Sequence, residues 1–265
     1  MPDPGGSDLE DLIDAVDPVV DAALAKPFES VVAVSAMGTD SAQWDPVIGR
    51  LTTGPQVVTY DRPGIGRSQP RPAPNPPQPY RTFADELATM LDRLGVSAPV
   101  VAVGHSFGSL IVRSFAARHA ARIAGMVHID GSLPGMVLWP GYGPLIDGPG
   151  ARATTIDAAT GATELAGRTL PDVPAIVLAR TPGRWHSPRA DAAVDRSWQD
   201  NQADLAQQCR APLIVATNSG HDMPGEAPDL VAFAIDEVVR TVRSRAPRVG
   251  VDPGQILAVG GRMPG

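Results

Sequence analysis

A serine flanked at two residues' distance by glycines, Gly104-His105-Ser106-Phe107-Gly108, follows the apolar run Val100–Val103 and precedes a stretch of helical pattern from about Ser109 to Ala120. A serine hydroxyl is a weak nucleophile at its ordinary pKa, so one that attacks carbonyl carbon needs exposure and a neighbouring base. An abrupt strand-to-helix turn supplies the exposure. It lifts Ser106 Oγ above the sheet edge and needs small residues two before and two after, where Gly104 and Gly108 stand. The same turn aims a helix N-terminus at the serine, where the free amide of Phe107 can stabilise an oxyanion. The base is sought among five histidines. His221, in Ser219-Gly220-His221-Asp222-Met223-Pro224, follows the last strand-like run and precedes the last helical one, so a loop can carry it over the serine. His105 lies inside the turn, His119 at a helix end, His128 in a strand and His186 in a loop, positions that suit packing or solvation.

The elements that must hold these groups form a regular series from residue 30 onward. Short apolar, β-branched runs (Val31–Val34, Gln56–Tyr60, Val100–Val103, Ile123–Ile129, Ala175–Leu178 and Leu213–Ala216) alternate with helical stretches near 40–50, 82–94, 107–120, 188–209 and 227–244. Continuous apolar strands separated by helices predict a parallel sheet buried on both faces, and right-handed crossovers make it a doubly wound α/β fold of about six strands. Three segments depart from this series. Pro70–Pro79 holds six prolines in ten residues and predicts a stiff extended loop. The 42 residues 131–172 carry Gly, Pro and aromatics with weak periodicity, which predicts an excursion over the sheet edge. Residues 247–265 are punctuated by Gly and Pro around one apolar run, Ile256–Val259, and read as either a packed or a disordered tail.

Charge is distributed unevenly. The net −7 of the 265 residues arises entirely in the first 21, which hold seven acids and no base; the remaining 22 acids balance 22 bases. There is no basic surplus for a phosphate backbone, which argues against nucleic acid as a partner. The lead-in, residues 1–27, opens with Ser7-Asp8-Leu9-Glu10, a capping-box pattern, followed by Leu9, Leu12, Ile13 and Val16 at helical spacing until Pro18. It predicts a peripheral acidic helix. No apolar run approaches the roughly 20 residues of a membrane helix, and no secretory leader is visible, so a cytoplasmic location is expected. Cys209 is the single cysteine, which rules out an intrachain disulfide and Cys-x-x-Cys zinc sites.

Three motifs in order resemble the α/β-hydrolase fold superfamily of serine hydrolases, over about residues 30–245. They are the Gly104–Gly108 elbow, Asp61-Arg62-Pro63-Gly64-Ile65-Gly66-Arg67-Ser68 (similar to the family's D-x-x-G-x-G-x-S turn), and His221 with Pro228-Asp229-Leu230-Val231 (similar to its S-G-H…P-x-L-V close). The resemblance implies a triad acid after the strand that follows the elbow helix, or after the next strand. The later strand runs into Val177–Gly183 with no carboxylate before Asp191, whereas the earlier one ends His128-Ile129-Asp130-Gly131. Asp130 is therefore the expected acid, with Asp191 and Asp195 in reserve; Asp-Gly is also an ordinary turn signal. The family usually carries His-Gly after its first central strand, where this chain has Ser35-Ala36. Alignment to that pattern makes Met37 N–H the second oxyanion donor beside Phe107 N–H, while Ala36 restricts the backbone and Ser35 alters the surroundings. Trp44 stands where the family often has an aromatic lining residue, with burial in the core as the competing reading. Segment 131–172 corresponds to the family's cap, in which Met136, Leu138, Trp139, Tyr142, Leu145 and Ile146 line a pocket or form a small satellite core.

Together these readings divide the chain into the lead-in (1–27), an α/β-hydrolase domain (28–246) with its cap (131–172), and a tail (247–265). Ser106, His221 and Asp130 are the expected catalytic residues, with Trp44, His105, Trp139 and Tyr142 as the expected substrate contacts. The implied reaction is hydrolysis of an ester, thioester or lactone of a small, mostly apolar molecule through an acyl-enzyme. No metal or organic cofactor is implied, and neither nucleic acid nor membrane is expected as a partner. The altered Ser35-Ala36 pair leaves open a repurposed member, either an acyltransferase or cyclase or a non-catalytic binding protein.

Overall fold

Alternate residues of the apolar runs pack to opposite sides of one sheet. In the computed structural model, which describes residues 18–21, 30–135, 143–185 and 192–264, these runs form strands. The first half of the chain supplies β1 (Pro18–Asp21), β2 (Ser30–Val34), α1 (Asp45–Ile48), β3 (Gln56–Tyr60), α2 (Tyr80–Arg93), β4 (Val100–His105), α3 (Phe107–Arg118) and β5 (Ile123–Ile129). The second half supplies β6 (Ile146–Asp147), β7 (Thr154–Thr155), α4 (Ala158–Leu165), β8 (Ala175–Ala179), α5 (Ala192–Cys209), β9 (Leu213–Ala216), α6 (Met223–Glu226), α7 (Pro228–Ser244), α8 (Pro253–Ala258) and β10 (Gly261–Arg262). The main sheet has the order β1-β3-β2-β4-β5-β8-β9-β10. Its six central strands pair in parallel.

Both faces of the sheet are covered. Val32 and Val34 pack with Phe83, Leu87, Phe115 and Leu205 of α2, α3 and α5. Val31 and Ala33 pack on the other side with Leu230, Val238 and Ile256 of α7 and α8. Central β4 is buried at all six positions, as a run without polar alternation requires. Because β2 lies between β3 and β4, the chain leaves β2 to one side and returns to the other. The loops after β2 and β4 therefore diverge, opening a crevice at the carboxyl ends of the strands, where ligands bind in open α/β sheets.

The outer strands depart from the six-strand expectation. Pro18–Asp21 pairs antiparallel with β3, Val20 opposite Val58, so a strand follows directly after the stretch 7–17 read as helix, which lies outside the described residues. The last residues are packed, with α8 burying Ile256 and Gly261 pairing antiparallel with Ala216 of β9. Strands of four and two residues carry too short a pattern to register as a period. In the segment 131–172, β6 and β7 form a two-residue antiparallel ladder, and Leu145, Ile156, Ala158 and Leu165 join the main core. Ile146 is exposed. Met136, Leu138, Trp139 and Tyr142 lie outside the described residues.

Candidate active site

The turn between β4 and α3 is as tight as its glycines imply. A Cβ on Gly104 would come within 2.5 Å of Gly108 O, and one on Gly108 within 2.1 Å of Val34 O, so neither position accommodates a side chain. Ser106 takes φ 53° and ψ −116°, a strained backbone for an L-residue that costs about 1–3 kcal/mol and is held by its surroundings. Its amide donates to Ile129 O at 3.0 Å, and its carbonyl accepts from Ser109 N and Ser132 N, each at 3.0 Å.

Three elements converge on the serine. His221, after β9, reaches back so that its Nε2 lies 2.9 Å from Ser106 Oγ. Its Nδ1 lies 2.6 Å from Oδ2 of Asp130, the residue that follows β5. A carboxylate accepts only, so Nδ1 carries the proton and Nε2 is free to accept the serine's. Asp130 is fully buried. Burial works to raise its carboxyl pKa, but the hydrogen bond and charge of His221, then the Arg180 guanidinium, outweigh it and hold the group below the ordinary carboxylate range. Of the reserve acids, Asp195 lies one step further out, accepting from Arg180 Nη2 at 2.5 Å and Gly183 N at 2.9 Å. Asp191 is outside the described residues.

Around this chain stand residues that the sequence did not single out. Arg180, at the end of β8, donates to both oxygens of Asp130 at 3.3 and 3.2 Å and lies 4.2 Å from the Trp185 ring centroid. Trp185 and Trp198 in turn flank the His221 ring at 5.1 and 5.3 Å. Ser132 Oγ lies 3.2 Å from Ser106 Oγ. Arg180 stands where a carboxylate was sought, and its sequence neighbours give no sign of a partner 50 residues away. Ser132, two residues after Asp130, was within reach of sequence inspection.

The loop after β2 resolves the Ser35-Ala36 departure. Ser35 Oγ donates to Asp40 O at 3.0 Å and accepts from Trp44 Nε1 at 3.0 Å. Ala36 keeps an ordinary negative φ, because the positive φ of 72° falls on Gly38 instead, so alanine brings no backbone strain. Among the described residues, neither Met37 N–H nor Phe107 N–H has a hydrogen-bond acceptor, so both amides are available.

The sequence model for the alpha/beta hydrolase fold matches residues 29–153, a span holding the elbow, Asp130 and the Asp61–Ser68 turn. A thermophilic esterase from Thermogutta terrifontis superposes with a TM-score of 0.58 at 20% identity, covering 86% of this chain and 93% of that one. The chain has the α/β-hydrolase fold. Among curated relatives, "Uncharacterized protein YqjL" of Bacillus subtilis is 27% identical over 219 residues, 79% of this chain and 83% of its own length. A Caulobacter segnis protein named "Putative carbamate hydrolase RutD" is 34% identical over 103 residues, 39% of this chain and 38% of that protein.

Two expected substrate contacts are placed elsewhere. Trp44 is 1% exposed and packs in the core, its indole spent on Ser35, so it supports the loop rather than lining a pocket. His105 is 1% exposed, with both ring nitrogens engaged. Gln43 Nε2 donates to Nδ1 at 2.8 Å, so Nε2 is the protonated nitrogen and donates to His221 O at 2.7 Å. His105 thus positions the His221 backbone, with both ring nitrogens already engaged. Trp139 and Tyr142 lie outside the described residues. Among the described residues, no cluster of three or more His, Cys, Asp or Glu could hold a metal ion, and no helix is long and apolar enough to cross a membrane.

Proposed function

We propose that the protein is a serine hydrolase that cleaves an ester, thioester or lactone of a small, mostly apolar molecule through an acyl-enzyme. The unbroken hydrogen-bonded chain Ser106–His221–Asp130 carries this reading. His221 Nε2 takes the hydroxyl proton as Ser106 Oγ attacks the carbonyl carbon, and the carbonyl π pair moves onto oxygen. The resulting oxyanion accepts from Phe107 N–H and Met37 N–H, fixed dipoles that need no reorganisation during the reaction; one such donor contributes about 10²–10³ in kcat. The tetrahedral adduct collapses by expelling the alcohol or thiol, which receives the proton from His221 Nε2. Water then repeats the sequence against the acyl-serine, releasing the acid and restoring Ser106. Asp130 keeps the imidazole in the required tautomer and offsets the imidazolium charge, itself held ionised by His221 and then by Arg180.

A carbamate carbonyl would pass through the same tetrahedral adduct, and the name of the Caulobacter relative puts that class on the substrate panel. The test compares p-nitrophenyl esters of short and long acids, a thioester, a lactone and an aryl carbamate, using wild type and Ser106→Ala. Turnover of at least one class with a product burst equal to the enzyme concentration, abolished in Ser106→Ala, is the expected result. Equal turnover by the two proteins would overturn the reading.

A further inference from the structure

A buried ion pair that the reaction scheme leaves unused lies beneath the loop carrying Met37. Arg62, from the Asp61–Ser68 turn, meets Asp147 of the cap segment through Nε to Oδ2 at 2.7 Å and Nη2 to Oδ1 at 2.8 Å. Their side chains are 1% and 0% exposed. A buried ion pair is weak evidence for stability, since an apolar pair of the same shape often serves the fold as well. The remaining hydrogen bonds of this pair go to one place. Arg62 Nη1 donates to Ser35 O at 2.8 Å and Nη2 to Ala36 O at 2.6 Å, while Asp147 Oδ1 accepts from Gly38 N at 2.7 Å.

Peptide planarity converts these contacts into a statement about Met37. Ala36 C=O and Met37 N–H belong to one trans peptide and point in opposite directions. A guanidinium that captures the carbonyl from below therefore turns the amide to the other side. The neighbouring peptides are held at both ends. Ala36 N–H donates to Gln43 Oε1 at 3.0 Å while Ser35 O meets Arg62, and Gly38 N–H meets Asp147 while Met37 O accepts from Thr39 Oγ1 at 3.4 Å. Among the described residues Met37 N–H has no acceptor, while the peptides on either side of it are held. The Arg62 guanidinium also lies 5.6 Å from the ring centroid of Phe107, the residue that supplies the other amide.

We propose that the Arg62–Asp147 pair is the positioning device of the oxyanion hole, fixing the Ala36–Met37 peptide so that Met37 N–H is presented to the developing oxyanion. The inference rests on the hydrolase reading above. It assigns the Asp61–Ser68 turn and the cap residue Asp147 a part in transition-state stabilisation that neither performs by touching substrate. With Arg62 lost, Ala36 O keeps only the Thr39 amide at 3.2 Å, a weaker hold against the rotation that would direct Ala36 O toward the oxyanion.

Three variants test this: Asp147→Asn, Arg62→Lys and the double variant Arg62→Met/Asp147→Leu. Arg62→Lys keeps the charge but cannot span two carbonyls and a carboxylate with one ammonium. The double variant leaves no unpaired buried charge, so it separates folding from positioning. Each is read by thermal midpoint, by kcat and KM on an activated ester, and by the affinity of a trifluoromethyl ketone, whose hydrate-like adduct with serine occupies the hole. The expected result is a loss of about 10²-fold in kcat with KM changed less than about threefold. Ketone affinity should fall in step with kcat/KM, and the double variant should regain the thermal midpoint without regaining kcat. Recovery of kcat together with the midpoint in the double variant would overturn the proposal, as would a kcat loss that leaves ketone affinity unchanged. Labelling of wild-type Ser106 by a fluorophosphonate is read separately; its absence would overturn the hydrolase reading and this inference with it.

Discussion

Acidification from pH 7 to pH 5 should remove about 4 kcal/mol of folding stability through His105 and His128 alone. Both rings are almost wholly buried, at 1% and 0% exposure. Burial, reinforced by the charge of His221 on His105 and of Arg113 on His128, pushes each pKa down to about 3. In the unfolded chain a histidine titrates near about 6.5. Between these values the unfolded state binds a proton that the native state excludes, so stability rises with pH and falls on acidification. At about 1.36 kcal/mol per unit, each histidine costs about 2 kcal/mol at pH 5, and the loss continues down to about pH 3. His128 Nδ1 bonds Ser109 Oγ at 2.8 Å, a contact that asparagine can partly replace, and its Nε2 has no described partner. Urea unfolding of wild type and His128→Asn at pH 7 and pH 5 reads the difference directly. The variant should lose about 2 kcal/mol less than wild type over that interval. A variant that declines as steeply as wild type would refute the assignment of the acid sensitivity to this buried ring.

Two further substitutions probe the site. Asp130→Asn should lower kcat by about 10⁴, because the amide favours the wrong imidazole tautomer, whereas Asp195→Asn should cost far less; steady-state kinetics showing the reverse order would move the acid role to Asp195. Gly108→Ala places a methyl 2.1 Å from Val34 O, a backbone atom that cannot give way. It should destabilise by about 3 kcal/mol or more in urea titration, and a wild-type midpoint would contradict the closeness of this turn.

The six parallel strands and the main helices were legible because each buries a run long enough to carry a period, and β3, β5 and β9 occupy the spans that their apolar residues mark. Ser106 and His221 were legible for a different reason: a tight turn and a strand-end loop leave local residue signatures. Asp130 followed from its strand end only once the strand order was supposed. Arg180 and Asp147 were not legible. Their meaning lies in partners 50 and 85 residues away, and a single charged residue carries no periodic signal of burial. Trp44 and His105 show the converse. Their types suit ligand contact, but whether a ring faces a pocket or the core depends on contacts that spacing does not reveal. The Ser35-Ala36 substitution read as a threat to the backbone because glycine's freedom was placed at residue 36; the structure uses it at Gly38.

The central claim is that Ser106 is an activated nucleophile, made so by His221 Nε2 at 2.9 Å. Intact-mass analysis after treatment with a fluorophosphonate tests it without knowledge of the substrate. One adduct per chain is expected, mapped by peptide mass to Ser106, with none in folded Ser106→Ala and a markedly slower reaction in His221→Gln. A folded wild type that stays unlabelled, or that carries its adduct on another residue, would contradict it.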